Sequence, residues 1–473
     1  MKEPAKPLKY VIICLFAALL LGAVVFFKQR MLFLDAPHTL FRIINDNSII
    51  ITVGRYGSFI TQLLPWLGAK IHLPLTLLML LYSVSFNLFF LTIALLLIYK
   101  YHRTDLALLF AFYLTLITSD TYFWTNNEVH EGIAWLMLAF AINAFSSAHN
   151  RPLIILLPLF LITFYLAICT HPLVMIAAAY LWLFYWIKGD NWPYTRQQSV
   201  GYTILLVMII AAKYYQSSHN WYDGDKMEVV KNIQLSKIIT IYKAPQFKWF
   251  VNSCIHDYWL FSLIFIIGNL ALLASKKYAL FVLSIVFSFG YVILICLTYW
   301  DLHSLRFYIE SEYMPLATIG AAPFIYFALP LLRKKQAAAV VAGLLFLRLT
   351  AIVWASPYFT ARVALLEAVN QKMREKHITK ALMPDNDKTV DSMLVMSWGL
   401  PVESIMLSKM DGDMPQNTIY IADTNSLNTL RNSGHDTLLA SFEKRTMKNI
   451  NSCYFSFDTS SPYKVITYTQ LLR

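Results

Sequence analysis

The chain has 473 residues, 58% of them hydrophobic and only 14% charged, and its mean hydropathy is +0.53. Soluble domains carry about 25% charged and 45–50% apolar residues, so a single soluble globule, a disordered chain and a fibrous repeat all fit poorly. A net charge of +12 invites a nucleic-acid reading, which the distribution of that charge argues against.

Apolar runs near the ~20 residues that cross a hydrocarbon layer fall at 10–27, 73–99, 105–118, 132–148, 153–169, 173–187, 199–212, 258–274, 278–298, 314–332 and 337–354. These eleven windows predict an all-α polytopic membrane protein. The connections 1–9, 100–105, 149–152, 188–198, 275–277 and 333–336 hold thirteen Lys/Arg against three acids, Glu3, Asp105 and Asp190. The opposite loops hold twelve of each sign. Lys and Arg are retained on the cytoplasmic side, so the N-terminus is expected there and the longer loops outside. The basic excess is then a topology signal, and no nucleic-acid partner is expected. Residues 1–27 begin like a signal peptide, but the run Val11–Phe27 is long and Phe26-Phe27-Lys28 offers no small-residue cleavage site. An uncleaved first helix is expected.

The first outer loop, 28–72, is too apolar to be simply solvated. Its apolar positions repeat at helical spacing around Arg42 and from Phe59 to Leu67, which predicts amphipathic helices in the membrane interface. Asp35 stands just past the first span. There a carboxylate either faces a cavity at the membrane surface or caps the Pro37 segment, and the two roles are compatible. The second outer loop places Asp120, Glu128, His130 and Glu131 within twelve residues with no Lys or Arg between them. Glu128 and Glu131 share a helical face at i, i+3. They suit either a helix N-terminus or a site for a divalent cation or acid–base chemistry.

Further along, Thr170-His171-Pro172 places His171 at the interface. The loop 213–257 carries HNWYDGDK and six Lys, with Trp221 and Tyr222 suited to the interface or to stacking on a sugar. The loop after the ninth window carries Asp301, His303, Arg306, Glu310 and Glu312. An Arg there suits a phosphate, through its planar fork, or pairs with Glu310 at i, i+4. Arg348, in the last window, needs a partner or cavity or snorkels to the surface. Cys14, Cys169 and Cys296 fall in or at spans as packing residues. Cys254 and Cys453 fall outside, either as a disulfide or as two separate thiols.

From about residue 356 the chain changes character, with thirteen basic and twelve acidic residues after 355. A helical pattern, Arg362 to Lys376, precedes strand-like runs at Ser392–Trp398, Thr418–Ala422, Cys453–Phe457 and Lys464–Tyr468. A membrane domain (1–355) followed by a small extracytoplasmic α/β domain (356–473) is expected.

This layout resembles the multispanning GT-C glycosyltransferase superfamily, which includes protein mannosyltransferases, aminoarabinose transferases and GtrII-like O-antigen glucosyltransferases. The likeness covers roughly 1–355. It rests on the acid after the first span (Asp35), on Gly54-Arg55-Tyr56, on the acids before the fourth span (Asp120, Glu128, Glu131) and on Leu305-Arg306-Phe307-Tyr308…Pro315. The chain departs from the family where Asp35 is followed by Ala instead of a second acid, and it lacks the Trp-Trp-Asp-Tyr-Gly motif of oligosaccharyltransferases. The resemblance implies transfer of a sugar from a polyprenyl-phosphate donor to a glycan, lipid or protein acceptor at a bacterial inner membrane. It implies Asp35 as base, Arg306 and Arg55 at the phosphate, and Asp120, Glu128, His130 and Glu131 positioning the acceptor or a cation. His171, Asp301 and Tyr308 are additional candidates, and Mg2+ or Mn2+ held by Asp35, Asp120, Glu128 and Glu131 is the cofactor to test. A transporter or flippase of lipid-linked sugars is the main rival, expected to place charges at the bilayer midplane with broken helices and related halves. A non-catalytic envelope scaffold is the second. An O-antigen-ligase-like enzyme is the third, and it is disfavoured because the 213–257 loop lacks Arg.

Overall fold

The structure, a computed structural model, describes residues 6–148, 153–189, 194–232, 235–301, 305–385, 397–440 and 444–472. It is about 74% helical, and a helix occupies every one of the apolar windows. Five helices are long and apolar enough to cross a membrane: Lys6–Val25, Leu75–Lys100, Arg196–Ser218, Tyr278–Thr298 and Lys334–Glu375. Two bent pairs raise the number to seven: Pro245–His256 with Trp259–Ala274, bent by 85°, and Arg306–Tyr313 with Pro315–Leu331, bent by 47°. Thr104–Tyr113, Leu156–Thr170 and Val174–Lys188 are apolar but shorter. Helices are the expected solution for such sequences, because lipid offers backbone amides no partner and each segment must satisfy its own. The outside of the bundle is apolar too: Ile162, Ile204, Met208, Leu270, Phe289 and Phe346 are all exposed. Trp354, 86% exposed at the end of the last apolar window, has the amphipathic ring that favours a membrane–water boundary.

Arg348 does not snorkel. It is buried, and its Nε and Nη2 donate to the Thr115 and Thr118 carbonyls at 2.8 Å each. Nη1 reaches the Asp257 carbonyl at 3.0 Å and Nη2 the Ser119 hydroxyl at 3.2 Å. One guanidinium therefore donates to the Thr118 carbonyl of the irregular turn after Thr104–Tyr113 and adds a second donor to the Thr115 carbonyl, which also accepts the Thr118 amide at 3.4 Å.

The expected helix at Arg362–Lys376 is the far end of Lys334–Glu375, a single helix of 42 residues that runs from the last apolar window into the C-terminal region. Beyond it lies a small three-stranded parallel sheet. Lys380–Pro384 is central, flanked by Thr418–Ala422 (Lys380 opposite Thr418) and Lys464–Val465 (Ala381 opposite Lys464). The central strand has no β-branched residue and a Pro, so its sequence gives no strand signal. Pairing on both edges and complete burial make it a strand. Thr418–Ala422 is a strand as expected. Of Ser392–Trp398, residues 392–396 lie outside the described residues and Ser397–Gly399 is a 3-10 turn. Cys453–Phe457 forms no strand: Asn451 turns the chain by accepting from the Tyr454 and Phe455 amides, and both rings are buried.

This C-terminal region is docked on the first outer loop. Arg445 pairs with Asp46 at 2.8 Å, the Asn451 amide donates to Asn45 Oδ1 at 2.9 Å, and Phe41 meets Phe455 with ring centroids 5.2 Å apart. The helix Asp35–Asp46 therefore buries Leu40, Phe41, Ile43 and Ile44 in protein, where contact with the membrane interface was expected. The next helix, Phe59–Lys70, leaves Leu67 exposed, as is Ile71 just after it, in keeping with an interfacial position. All five cysteines are free thiols, so the Cys254–Cys453 disulfide is not formed.

Candidate functional site

The ionisable residues of the outer loops gather into two clusters. The first is built around Arg55, at the start of the turn Arg55–Ser58, where Gly54 (φ +71°) supplies the left-handed backbone that the bend requires. Arg55 is almost fully buried. Its Nη1 lies 3.0 Å from Glu128 Oε2 and its Nη2 3.2 Å from Asp223 Oδ1, with the guanidinium 5.2 Å from the centroid of Tyr222. Burial opposes its charge, but the two carboxylates prevail and raise its pKa above the ordinary arginine value. Lys226 belongs to the same neighbourhood, with burial lowering its pKa against the pull of Asp223, Glu312 and Glu128.

The helix Glu128–Ala148 starts ahead of the apolar window 132–148, with Asn127 Oδ1 accepting the Val129 amide at 3.2 Å. Glu128 and Glu131 share a face as expected, and that face looks toward the first outer loop. Glu131 is fully buried and accepts from the Thr61 hydroxyl at 2.5 Å, while its Oε2 has no hydrogen-bond partner among the described residues. His130 points the other way, with its Nδ1 3.0 Å from the Tyr113 hydroxyl and its ring against Phe90, so packing accounts for it.

Asp35 is the first residue of the helix Asp35–Asp46, one place past Leu34 at the N-cap position. Its Oδ2 accepts from Trp124 Nε1 at 2.8 Å. Burial, reinforced by the Glu128 charge, pushes its pKa up to about 7, against the opposing pull of the Trp124 bond and Arg55. Tyr308 lies in the same electrostatic neighbourhood. The Trp124 ring packs edge-on against both Phe307 and Tyr308, with centroids 5.1 and 5.0 Å apart.

The second cluster surrounds Arg306. Its Nε lies 3.2 Å from Glu310 and 4.0 Å from Asp120, its Nη2 3.4 Å from Asp257, and its Nε also donates to the Tyr258 hydroxyl at 3.3 Å. Arg306 keeps 37% of its side chain exposed, and its Nη1 makes no hydrogen bond among the described residues. Asp120 is raised to about 7 by burial and by the Glu310 and Asp257 charges, with Arg306 opposing. Trp124 and the Phe307–Tyr308 rings link the two clusters.

Of the sequence candidates, Asp35, Glu128, Arg55 and Tyr308 fall in the first cluster with Glu131 beside them, and Asp120 and Arg306 fall in the second. His171 adjoins the first. Its Nδ1 accepts the Leu173 amide at 3.2 Å, and burial together with Arg55, Lys226 and Lys213 pushes its pKa well below the ordinary value. Asp301 is exposed at the loop surface, and His303 lies outside the described residues. Among the described residues no three Asp, Glu, His or Cys side chains come together in a way that could hold a metal ion.

Sequence reasoning passed over Trp124, Asp223 and Asp257. Each stands in a loop already marked by its acids and aromatic rings, but only the folded chain shows which of them meets which. No family model, curated protein or solved structure matches the chain.

Proposed function

We propose that the chain is an integral-membrane glycosyltransferase that moves a sugar from a polyprenyl-phosphate donor to an acceptor hydroxyl at the outer face of a bacterial inner membrane. The observation that carries this reading is Asp35. It is a half-buried carboxyl at the start of the helix Asp35–Asp46, its Oδ2 held by Trp124 Nε1 at 2.8 Å, with burial pushing its pKa up to about 7, so that it suits taking a proton near neutral pH. In the reaction the acceptor oxygen attacks the anomeric carbon, the bond from that carbon to the phosphate oxygen breaks, and the hydroxyl proton passes to Asp35. The phosphate leaves with its charge, so it needs a cation more than an acid. Arg306 serves because its side chain is partly exposed. Arg55, engaged by two carboxylates, is better suited to holding Glu128 than to receiving a phosphate. Among the described residues no three Asp, Glu, His or Cys side chains gather to hold Mg2+ or Mn2+.

The test uses the purified full chain in nanodiscs with undecaprenyl-phosphate carrying radiolabelled glucose or mannose, with envelope extract supplying the acceptor. Release of undecaprenyl phosphate together with transfer of label is the expected result. Movement of intact donor between leaflets without cleavage would reject the transferase. The 85° and 47° helix bends favour this second reading, a flippase of lipid-linked sugars, since broken helices are how such proteins build sites within a membrane.

The topology that accompanies the proposal has eleven spans, a cytoplasmic N-terminus and a C-terminal domain outside. Cys453 is exposed, so a membrane-impermeant maleimide added to intact spheroplasts should label it, and a Cys453→Ser chain should lose that label. Labelling that appears only after the membrane is opened would place the domain on the other side.

A further inference from the structure

Two backbone groups of the segment just before Asp35 are held by the C-terminal region. Leu34 is fully buried and has φ +58°, a backbone that a branched side chain rarely adopts without support. Its amide donates to Glu403 Oε1 at 2.8 Å. Two residues earlier the Leu32 carbonyl accepts from Arg362 Nη1 at 2.6 Å. Arg362 Nη2 and Glu403 Oε2 close the arrangement as an ion pair at 2.5 Å, buried on both sides, and the guanidinium lies 5.2 Å from the centroid of Phe33. Gly399 completes the fit. A Cβ there would stand 2.7 Å from Glu403 Oε1 and 3.1 Å from the Leu34 Cα, so only glycine lets the two backbones approach this closely.

We propose that Arg362, Glu403 and Gly399 of the C-terminal region form a clamp that positions Asp35, making this region an integral part of the outer-face site and not an appendage to it. The inference rests on the reading of Asp35 as the base. The clamp acts through the chain: it fixes the backbone from which Asp35 projects, while Trp124 holds the carboxylate itself. Glu128, Arg55, Tyr82, Tyr222 and Tyr308 are the titratable groups that act on Asp35 or are acted on by it, and the clamp residues are not among them. Arg362, Glu403 and Gly399 are therefore positioning residues.

The full chain in nanodiscs is compared with Glu403→Gln and Gly399→Ala, and with Arg374→Ala as a control. Arg374 pairs with Asp411 and Asp413 at the surface of the same region. Two readouts are taken. With undecaprenyl-phosphate glucose as the donor probe, kcat is expected to fall at least tenfold in both clamp variants, with KM changed less than twofold and the control unchanged. Independently of turnover, pH-dependent carbodiimide labelling of Asp35, read by mass spectrometry, should show a midpoint near 7 in the native chain and a clearly lower one in the clamp variants as water reaches the carboxyl. If native Asp35 titrates near 7 and neither variant moves that midpoint, the clamp is overturned whatever the activity. If the midpoint moves but the native chain turns over no donor, the transferase reading fails and the clamp stands. Gly399→Ala keeps both members of the buried ion pair, so the question is answered even where Glu403→Gln does not fold.

Discussion

Asp35→Asn should lower donor turnover by about 10²–10⁴-fold, the range associated with losing a positioned general base, while leaving membrane insertion intact. The pH dependence follows from the same group. A base must be ionised, so turnover in the native chain should rise as pH passes through about 7 and level off above it. Stability runs the other way. The folded chain holds the Asp35 proton up to about 7, whereas the unfolded chain releases it near the ordinary carboxylate value of 3.8. The folded state thus binds the extra proton between those limits, and stability declines across that window by an amount on the order of a few kcal/mol. Asn removes the titration, so the variant should melt higher than the native chain above pH 7 and show a flatter stability profile below it. Thermal unfolding in detergent across pH 4–9, run beside the turnover assay, checks both signs. An Asn variant that kept native turnover would remove Asp35 from the chemistry.

The largest stability effect is expected at Glu310. Its Oε2 accepts from the Ser119 amide at 3.0 Å, the Thr121 amide at 2.8 Å and the Thr121 hydroxyl at 2.6 Å. Its Oε1 accepts from the Tyr258 hydroxyl at 2.6 Å and Arg306 Nε at 3.2 Å. Glu310→Ala strands two buried amides and leaves Arg306 without its nearest carboxylate. Losing one partner of such a network costs about 3–5 kcal/mol, enough to unfold a marginal membrane bundle at growth temperature. Glu310→Gln should cost less, because its amide oxygen still serves one side of the network while its NH2 faces donors on the other. A melting series of the native chain, Gln and Ala in that descending order would support this account. Equal stability of Ala and native would show that water replaces the carboxylate and that the second outer loop does not depend on it.

The membrane character of the chain was legible because lipid imposes a simple rule. Uninterrupted apolar windows must be helices, and each window holds one. The starts of Asp35–Asp46 and Phe59–Lys70 were legible for a related reason, since local periodicity acts within a turn or two of the chain. Contacts made across hundreds of residues were not legible. Nothing near Asp35 in sequence announces Trp124, and nothing near Arg55 singles out Asp223, 168 positions away. The central strand Lys380–Pro384 was missed because its conformation comes from its neighbours. The apolar face of Asp35–Asp46 was assigned to the membrane because periodicity reports that a face is covered, not what covers it.

The helix Lys334–Glu375 spans about 63 Å at 1.5 Å per residue, roughly twice the ~30 Å hydrocarbon thickness. It runs on for 42 residues with Pro357 inside it, so the half in the apolar window and the half that carries Arg362 form one helix whose weakest point is the turn before that proline. A tilt of a few degrees at the Lys334 end would be delivered at the Glu375 end as a displacement of several ångströms. Changes in bilayer thickness that tilt this helix would therefore be felt at the loop 28–72, coupling the physical state of the lipid to Asp35 through one helix.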